Sequence, residues 1–164
     1  MQNSFGLLLL IVFGGLGLVS IFTVIGLLLP VPVNRTRAAL ETSLGRSLLL
    51  GLVNFLCVGL LDALFIVLAQ RLGNIRIIAG ILVVIGALFS LALALLSMLG
   101  LASLADLLGH HIGEPKNEFH ALARGGGLLF LAGLTPFIGW FAFTPLVLLA
   151  GLGAVLQTIF KRKE

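Results

Sequence analysis

Charge is what this sequence has least of. Of 164 residues, ten are Lys or Arg and six are Asp or Glu, about 10% in all, while 60% are hydrophobic. A soluble domain carries roughly a quarter charged residues. The shortage excludes an ordinary water-facing surface, and a mean hydropathy of +1.24 excludes water as the main solvent. The few basic residues do not gather on one face, which excludes the positive surface that a nucleic-acid binder needs. Cysteine is limited to Cys57, so an internal disulfide and a thiolate metal site are excluded. No Lys or Arg precedes the first apolar run. That run therefore lacks the charged start of a cleavable signal peptide and is expected to be kept as a membrane span.

What the sequence has instead is a series of long uncharged runs. About twenty helical residues cross ~30 Å of hydrocarbon, and 164 residues leave room for one bundle and no separate globular domain. The expected fold is all-α: a polytopic transmembrane helical bundle with five membrane-entering helices at about 5–29, 47–69, 77–104, 119–135 and 140–160. The first run ends at Pro30-Val31-Pro32, because proline lacks a backbone N–H and disfavours a helical residue before it. The segment 34–46 reads as a short interfacial helix with Asn34 as its N-cap. In it Arg35, Arg37 and Arg46 are expected to meet anionic headgroups while Ala39, Leu40 and Leu44 face the acyl boundary. Gln70-Arg71-Leu72-Gly73-Asn74 closes a hairpin into the third run.

The final apolar stretch needs a break. Gly125–Phe160 is 36 residues, ~54 Å as one helix and far longer than the hydrocarbon is thick. Pro136 and Gly139 supply the turn, Trp140 is of the type enriched at membrane interfaces, and Thr144-Pro145 can start the last helix. The triple glycine 125–127 reads as a boundary between helices. Charge counting agrees with the break. An unbroken stretch would divide the ten Lys and Arg five and five between the two sides. A turn at Pro136 gathers eight on one side, from the 34–46 segment, the 106–124 segment and the tail Lys161-Arg162-Lys163, against two on the other. The positive-inside rule then places the chain in the cell inner membrane with its N-terminus outside and its C-terminus cytoplasmic. The fourth helix is short enough to be a partial or re-entrant pass. Lys161, Arg162 and Lys163 join the arginines as expected headgroup contacts.

Three groups of side chains invite a role. In the third run Gly80, Val83, Ala87, Ser90, Ala94 and Ser97 recur at three- and four-residue steps, a small-residue stripe of the kind that lets helices approach in lipid. Asp62 lies in GLLDALFIVLAQR, nine residues before Arg71, and a carboxyl at that depth must be protonated, paired or set against a watery cavity. It is either a proton or cation site, or a hydrogen-bonding link between spans, with Asn54 or a serine of span three as partner. The histidines His110, His111 and His120 are possible haem, pigment or metal ligands. Neighbours on a helix point ~100° apart, however, so His110 and His111 cannot chelate as an i, i+4 pair does. No catalytic set stands out. Ser103, Asp106 and His110 have helical spacing without a nucleophile elbow, and the glycines at 125–127 are not followed by the Lys-Ser or Lys-Thr of a phosphate loop.

GGGLLFLAGLTPFIGWFAFTPLVLLAGLGAVLQT resembles the closing helical hairpin of an uncharacterised bacterial membrane domain often fused to bactofilin-like, polymer-forming domains. PVPVNRTRAALETSLGRSLLLGL resembles that family's link between its first two spans. The likeness covers most of the chain in layout, and its specific parts are the Pro-Phe-Ile-Gly-Trp turn and the Gly-Leu-Gly-Ala run. The sequence departs from the family in lacking the β-rich domain and in having Arg71-Leu72-Gly73-Asn74 where a Gly-Ile-Pro turn is expected. The resemblance implies a membrane anchor or scaffold and no catalytic residues. The expected function is a non-enzymatic scaffold or accessory subunit packed against other membrane proteins or copies of itself. A small oligomeric transporter or channel with Asp62 in its pathway is the alternative.

Overall fold

The computed structural model describes residues 2–71, 76–113, 117–135 and 137–161, which are helical almost throughout. In chain order they form α1 (Gln2–Leu28), α2 (Pro30–Arg71), α3 (Arg76–His111), α4 (Glu118–Leu134), a π-helical turn (Ile138–Phe143) and α5 (Thr144–Lys161). The all-α expectation holds. Among the described residues four segments are long and apolar enough to cross a membrane: α1, α2, α3 and the π-turn with α5. At 17 residues, α4 spans only ~25 Å. The expectations placed on Pro136, Arg162 and Lys163, on the Gly73-Asn74 turn and on the Lys161 side chain fall outside the described residues.

Pro30 opens α2 instead of lying in a loop. The first helical position is where a missing N–H costs nothing, and bonds from Leu29 N to Ile25 O (2.9 Å) and Val33 N to Leu29 O (3.2 Å) carry the chain across the joint. Asn34 is therefore inside the helix, not its cap. The expected interfacial segment is the first arm of α2, residues 30–42. It ends where Ser43 leaves helical geometry (φ −154°, ψ 57°), and Arg46 belongs to the second arm, 44–71. The first arm does not turn Leu40 to lipid. Val33, Thr36 and Leu40 are buried, and Leu40 joins a core with Phe22, Ala102, Ala105, Leu129, Ala150 and Ala154. Leu44, past the kink, is exposed.

The helices are held together at glycines. A Cβ on Gly51 would run into the Leu149 carbonyl, and one on Gly153 into the Ser47 carbonyl, so α2 and α5 cross backbone to backbone. Gly100 of α3 meets the Gly151 backbone of α5 in the same way. Gly109 meets the Ala121 carbonyl, and Gly125 meets the Ala105 carbonyl, where α3 and α4 cross. Lipid tails are as apolar as leucine, so no hydrophobic force drives helices together within a bilayer, and close backbone approach with its dispersion contacts does that work. This corrects the reading of the triple glycine. Residues 125–127 lie inside α4, because the approach to α3 outweighs the ~1 kcal/mol that glycine costs in a helix. It also relocates the packing seam of α3. The seam runs through Gly100, Ala105 and Gly109, whereas Gly80, Ala87, Ser90 and Ala94 are exposed and Ser97 is half-buried.

The crossings set the depth of the final turn. Gly125 lies against Ala105, and α4 continues only nine residues beyond it, ~14 Å, while α3 runs back 29 residues from Ala105 to Arg76, ~44 Å. Gly15 lies against the Phe130 ring, and α1 extends 13 residues past that level where α4 has four left. The α4–α5 turn thus stops well short of the end formed by the α2–α3 connection and the start of α1. At the opposite end, Ser43 meets Gln157 (3.0 Å) and Arg37 meets Asp106 (3.2 Å). The first arm of α2, the end of α3 and the end of α5 therefore share one side of the bundle.

Gly153→Leu is expected to lower stability in detergent by about 3 kcal/mol through overpacking at α2, while Gly127→Ala, with open space at its Cβ, stays within about 1 kcal/mol of the parent. Unfolding curves followed by circular dichroism measure both. Equal stability of the two variants would contradict the crossing.

Candidate functional site

Two polar constellations stand out in an otherwise apolar molecule. The first joins the α2 arm to α3. Asp106 sits on the small-residue face of α3, and its side chain is only 5% exposed. Arg37 Nη1 donates to Asp106 Oδ2 at 3.2 Å, and Arg37 Nε donates to Glu41 Oε1 at 3.1 Å. Burial works against the Arg37 charge, but the hydrogen bonds and negative charges of Glu41 and Asp106 outweigh it, and its pKa is raised above the ordinary value. Arg37, expected at lipid headgroups, is therefore engaged within the protein. Arg35 and Arg46 are exposed on the same side, free of ion pairs among the described residues. His110 Nδ1 lies 3.3 Å from Asp106 Oδ1 and 2.9 Å from the Asp106 carbonyl. A carbonyl only accepts, so Nδ1–H is the donor. A turn away, Gln157 Oε1 accepts from Ser43 Oγ (3.0 Å) and Ser47 Oγ (3.3 Å), which stitches the kink of α2 to α5. The Arg37–Asp106 contact makes this joint a clamp held by charge-assisted bonds.

The second constellation is Asp62. Ser90 Oγ of α3 donates to its Oδ2 at 2.5 Å, so the expected serine partner in span three is found. The half-buried Asn54 makes no side-chain hydrogen bond among the described residues. Asp62 Oδ1 is buried without a partner. Its nearest surface is Gly86, where a Cβ would stand 3.4 Å away. Phe65, Ile66, Leu82, Val83 and Ala87 complete a groove of about 280 Å³ around the pair. The exposed stripe Gly80, Ala87, Ser90 and Ala94 runs along that same face, with open space beyond Gly80.

The final turn has its own polar accounting. A Cβ on Gly139 would lie 2.5 Å from the Ala132 carbonyl and 2.7 Å from Thr135 Oγ1, so glycine is required where the sequence places it. Thr135 Oγ1 donates to the Ala132 carbonyl (2.6 Å) and Thr144 Oγ1 to the Gly139 carbonyl (2.7 Å). These hydroxyls satisfy acceptors that water cannot reach in a bilayer. Phe137 holds φ +65°, a costly conformation for a side chain this large. Phe137, Trp140 and Phe141 are each at least 70% exposed. An apolar cavity of about 280 Å³ lies beneath, lined by Phe22, Leu101, Leu129, Phe130, Phe143 and Val147.

No family model, no curated protein and no solved structure matches the chain. Its chemistry is read from its own residues. Ser103, Asp106 and His110 do not form a triad, since Ser103 Oγ donates to the Leu99 carbonyl at 2.9 Å. His111 Nδ1 is bound to the Leu107 carbonyl at 3.0 Å, and the exposed His120 stands edge-on to Phe119. Among the described residues no three of His, Cys, Asp and Glu come together as a metal site. The clamp at Asp106 escaped the sequence reading. The signal that could have found it is the register of Asp106 with Ala102, Ala105 and Gly109 on one helical face.

Asp106→Asn is expected to cost about 2 to 3 kcal/mol, by leaving the partly buried Arg37 without its charged acceptor. Glu41→Gln, at an exposed i, i+4 pair, costs no more than about 0.5 kcal/mol. Thermal unfolding in detergent compares them, and equal costs would contradict the clamp.

Proposed function

We propose that this chain is a non-enzymatic integral membrane protein, a scaffold or accessory subunit that packs against a transmembrane helix of another membrane protein or of a second copy. The observation that carries this reading is the α3 stripe. Every other small-residue seam in the bundle, Gly51 with Gly153, Gly100 with Gly151, Gly109 with Ala121, is closed by a helix of the same chain. The stripe at Gly80, Ala87 and Ala94 repeats every seven residues and is left open on the outer face. Small residues cost a helix dispersion contacts with lipid, and they return that cost only when a second backbone approaches. The resemblance to membrane domains fused to polymer-forming modules points the same way, towards an anchor.

The side of the bundle that carries Arg35, Arg46, Arg124 and the C-terminal end is the one we assign to the cytoplasm, by the positive-inside rule. In that setting α4, the π-turn and α5 make a re-entrant hairpin that enters from the cytoplasmic side, and the N-terminus is outside.

Two measurements test the reading. Co-purification in mild detergent is expected to retain a partner or a second copy, and Ala87→Phe, which fills the stripe without touching the glycine crossings, is expected to reduce that recovery at least about tenfold, as loss of a packed interface position does. Recovery of the parent chain as a monomer at every concentration would sink the proposal. Reporter tags on the two termini are expected on opposite faces, and both on one face would contradict the orientation.

A further inference from the structure

Asp62 is the one charged residue of α2 between Arg46 and Arg71, and α3 carries none between Arg76 and Asp106. At 1.5 Å per residue it stands ~24 Å from Arg46 and ~14 Å from Arg71, so with α2 across a bilayer it lies within the hydrocarbon. The groove around it is lined by α2 and α3 alone. The other titratable group on these stretches, Cys57, is five residues back on α2, ~140° around the helix. No counter-ion therefore faces the carboxyl from either element. An unpaired carboxylate in such surroundings is expensive, whereas the same group carrying its proton is a modest hydrogen-bonding group.

We propose that Asp62 and Ser90 form a hydrogen-ion binding site that opens sideways from the α2–α3 hairpin. Three features build it. The Ser90 hydroxyl donates to Oδ2 at 2.5 Å and supports the carboxylate each time the proton leaves. Gly86 and Ala87 leave room over the carboxyl where larger side chains would seal it. Ser90 itself is exposed and Asp62 half-buried, so the pair is reachable from the outer face of the hairpin. A purely structural link between the spans would need neither the groove nor the access.

The probe is dicyclohexylcarbodiimide, which partitions into lipid and reacts with a protonated carboxyl. The acid O–H adds across one C=N bond, the oxygen going to the central carbon and the proton to nitrogen, with no leaving group and no oxidant. The full chain in lipid nanodiscs is expected to take up one carbodiimide at Asp62, located by peptide mass. Asp62→Asn lowers the uptake at least about tenfold, and labelling declines as pH rises. Ser90→Ala is expected to change the labelling rate at least about threefold, because it removes the hydroxyl that donates to the carboxyl. The infrared band of a protonated carboxyl, lost in Asp62→Asn, gives a readout that does not depend on the reagent. A folded parent chain with no label at Asp62, or with labelling indifferent to pH from about 5 to about 10, overturns the proposal. So does a Ser90→Ala variant labelled at the parent's rate. These readouts use the chain by itself, so they stand or fall separately from the recovery of a partner.

Discussion

Backbone approach at glycine is the constraint on which the rest of this molecule depends. In a bilayer the burial of leucine against leucine gains little over leucine against lipid. The closeness of the helices has to come from positions where no side chain intervenes. α5 supplies two of them, Gly151 facing α3 and Gly153 facing α2, so one short helix holds the α2–α3 pair together from a single run, Ala150 to Ala154. Those crossings fall midway along α5, and Gln157 beyond them meets Ser43 at the kink of α2. The turn at the other end of α5 then stops part of the way along α2 and α3.

The polar groups follow from that geometry. Once α3 and α4 lie backbone to backbone at Gly109 and Gly125, Asp106 is enclosed, and an enclosed carboxylate requires a partner. The first arm of α2 brings Arg37 to it. Gln157 plays the corresponding part for Ser43, where the helix gives up its regular bonds. Asp62 differs in kind. It is held by a serine hydroxyl instead of a counter-ion, and the groove around it is lined by α2 and α3 alone.

Much of this was legible in the residues. Long uncharged runs are a direct statement about solvent, and their bounds lie within a few residues of those of α1, α4 and α5, while α2 begins well before its run and α3 ends well after its own. For Asp62 the residues offered Asn54 or a serine of span three, and the partner in the structure is Ser90. The clamp could not be read in advance, because Arg37 and Asp106 are 69 residues apart and nothing local to either points to the other. Glycine misled at the triple run. Residues 125–127 read as a helix boundary because glycine is a poor helix former, yet they are held in α4 by what lies across from them. Periodicity marks the stripe at Gly80 to Ser97 as able to pack, and it cannot say which helix covers it.

The sequence by itself determined the solvent, the helical class, the break before the last helix and the grouping of basic residues towards one end. Each of these follows from the free energy of single residues or short runs in oil and water, a property that needs no knowledge of neighbours. The tertiary structure decided which glycines meet, which arginine is enclosed, where α4 stops and which face of α3 is left bare. Those depend on the register between helices, and register is set by contacts between residues far apart in the chain.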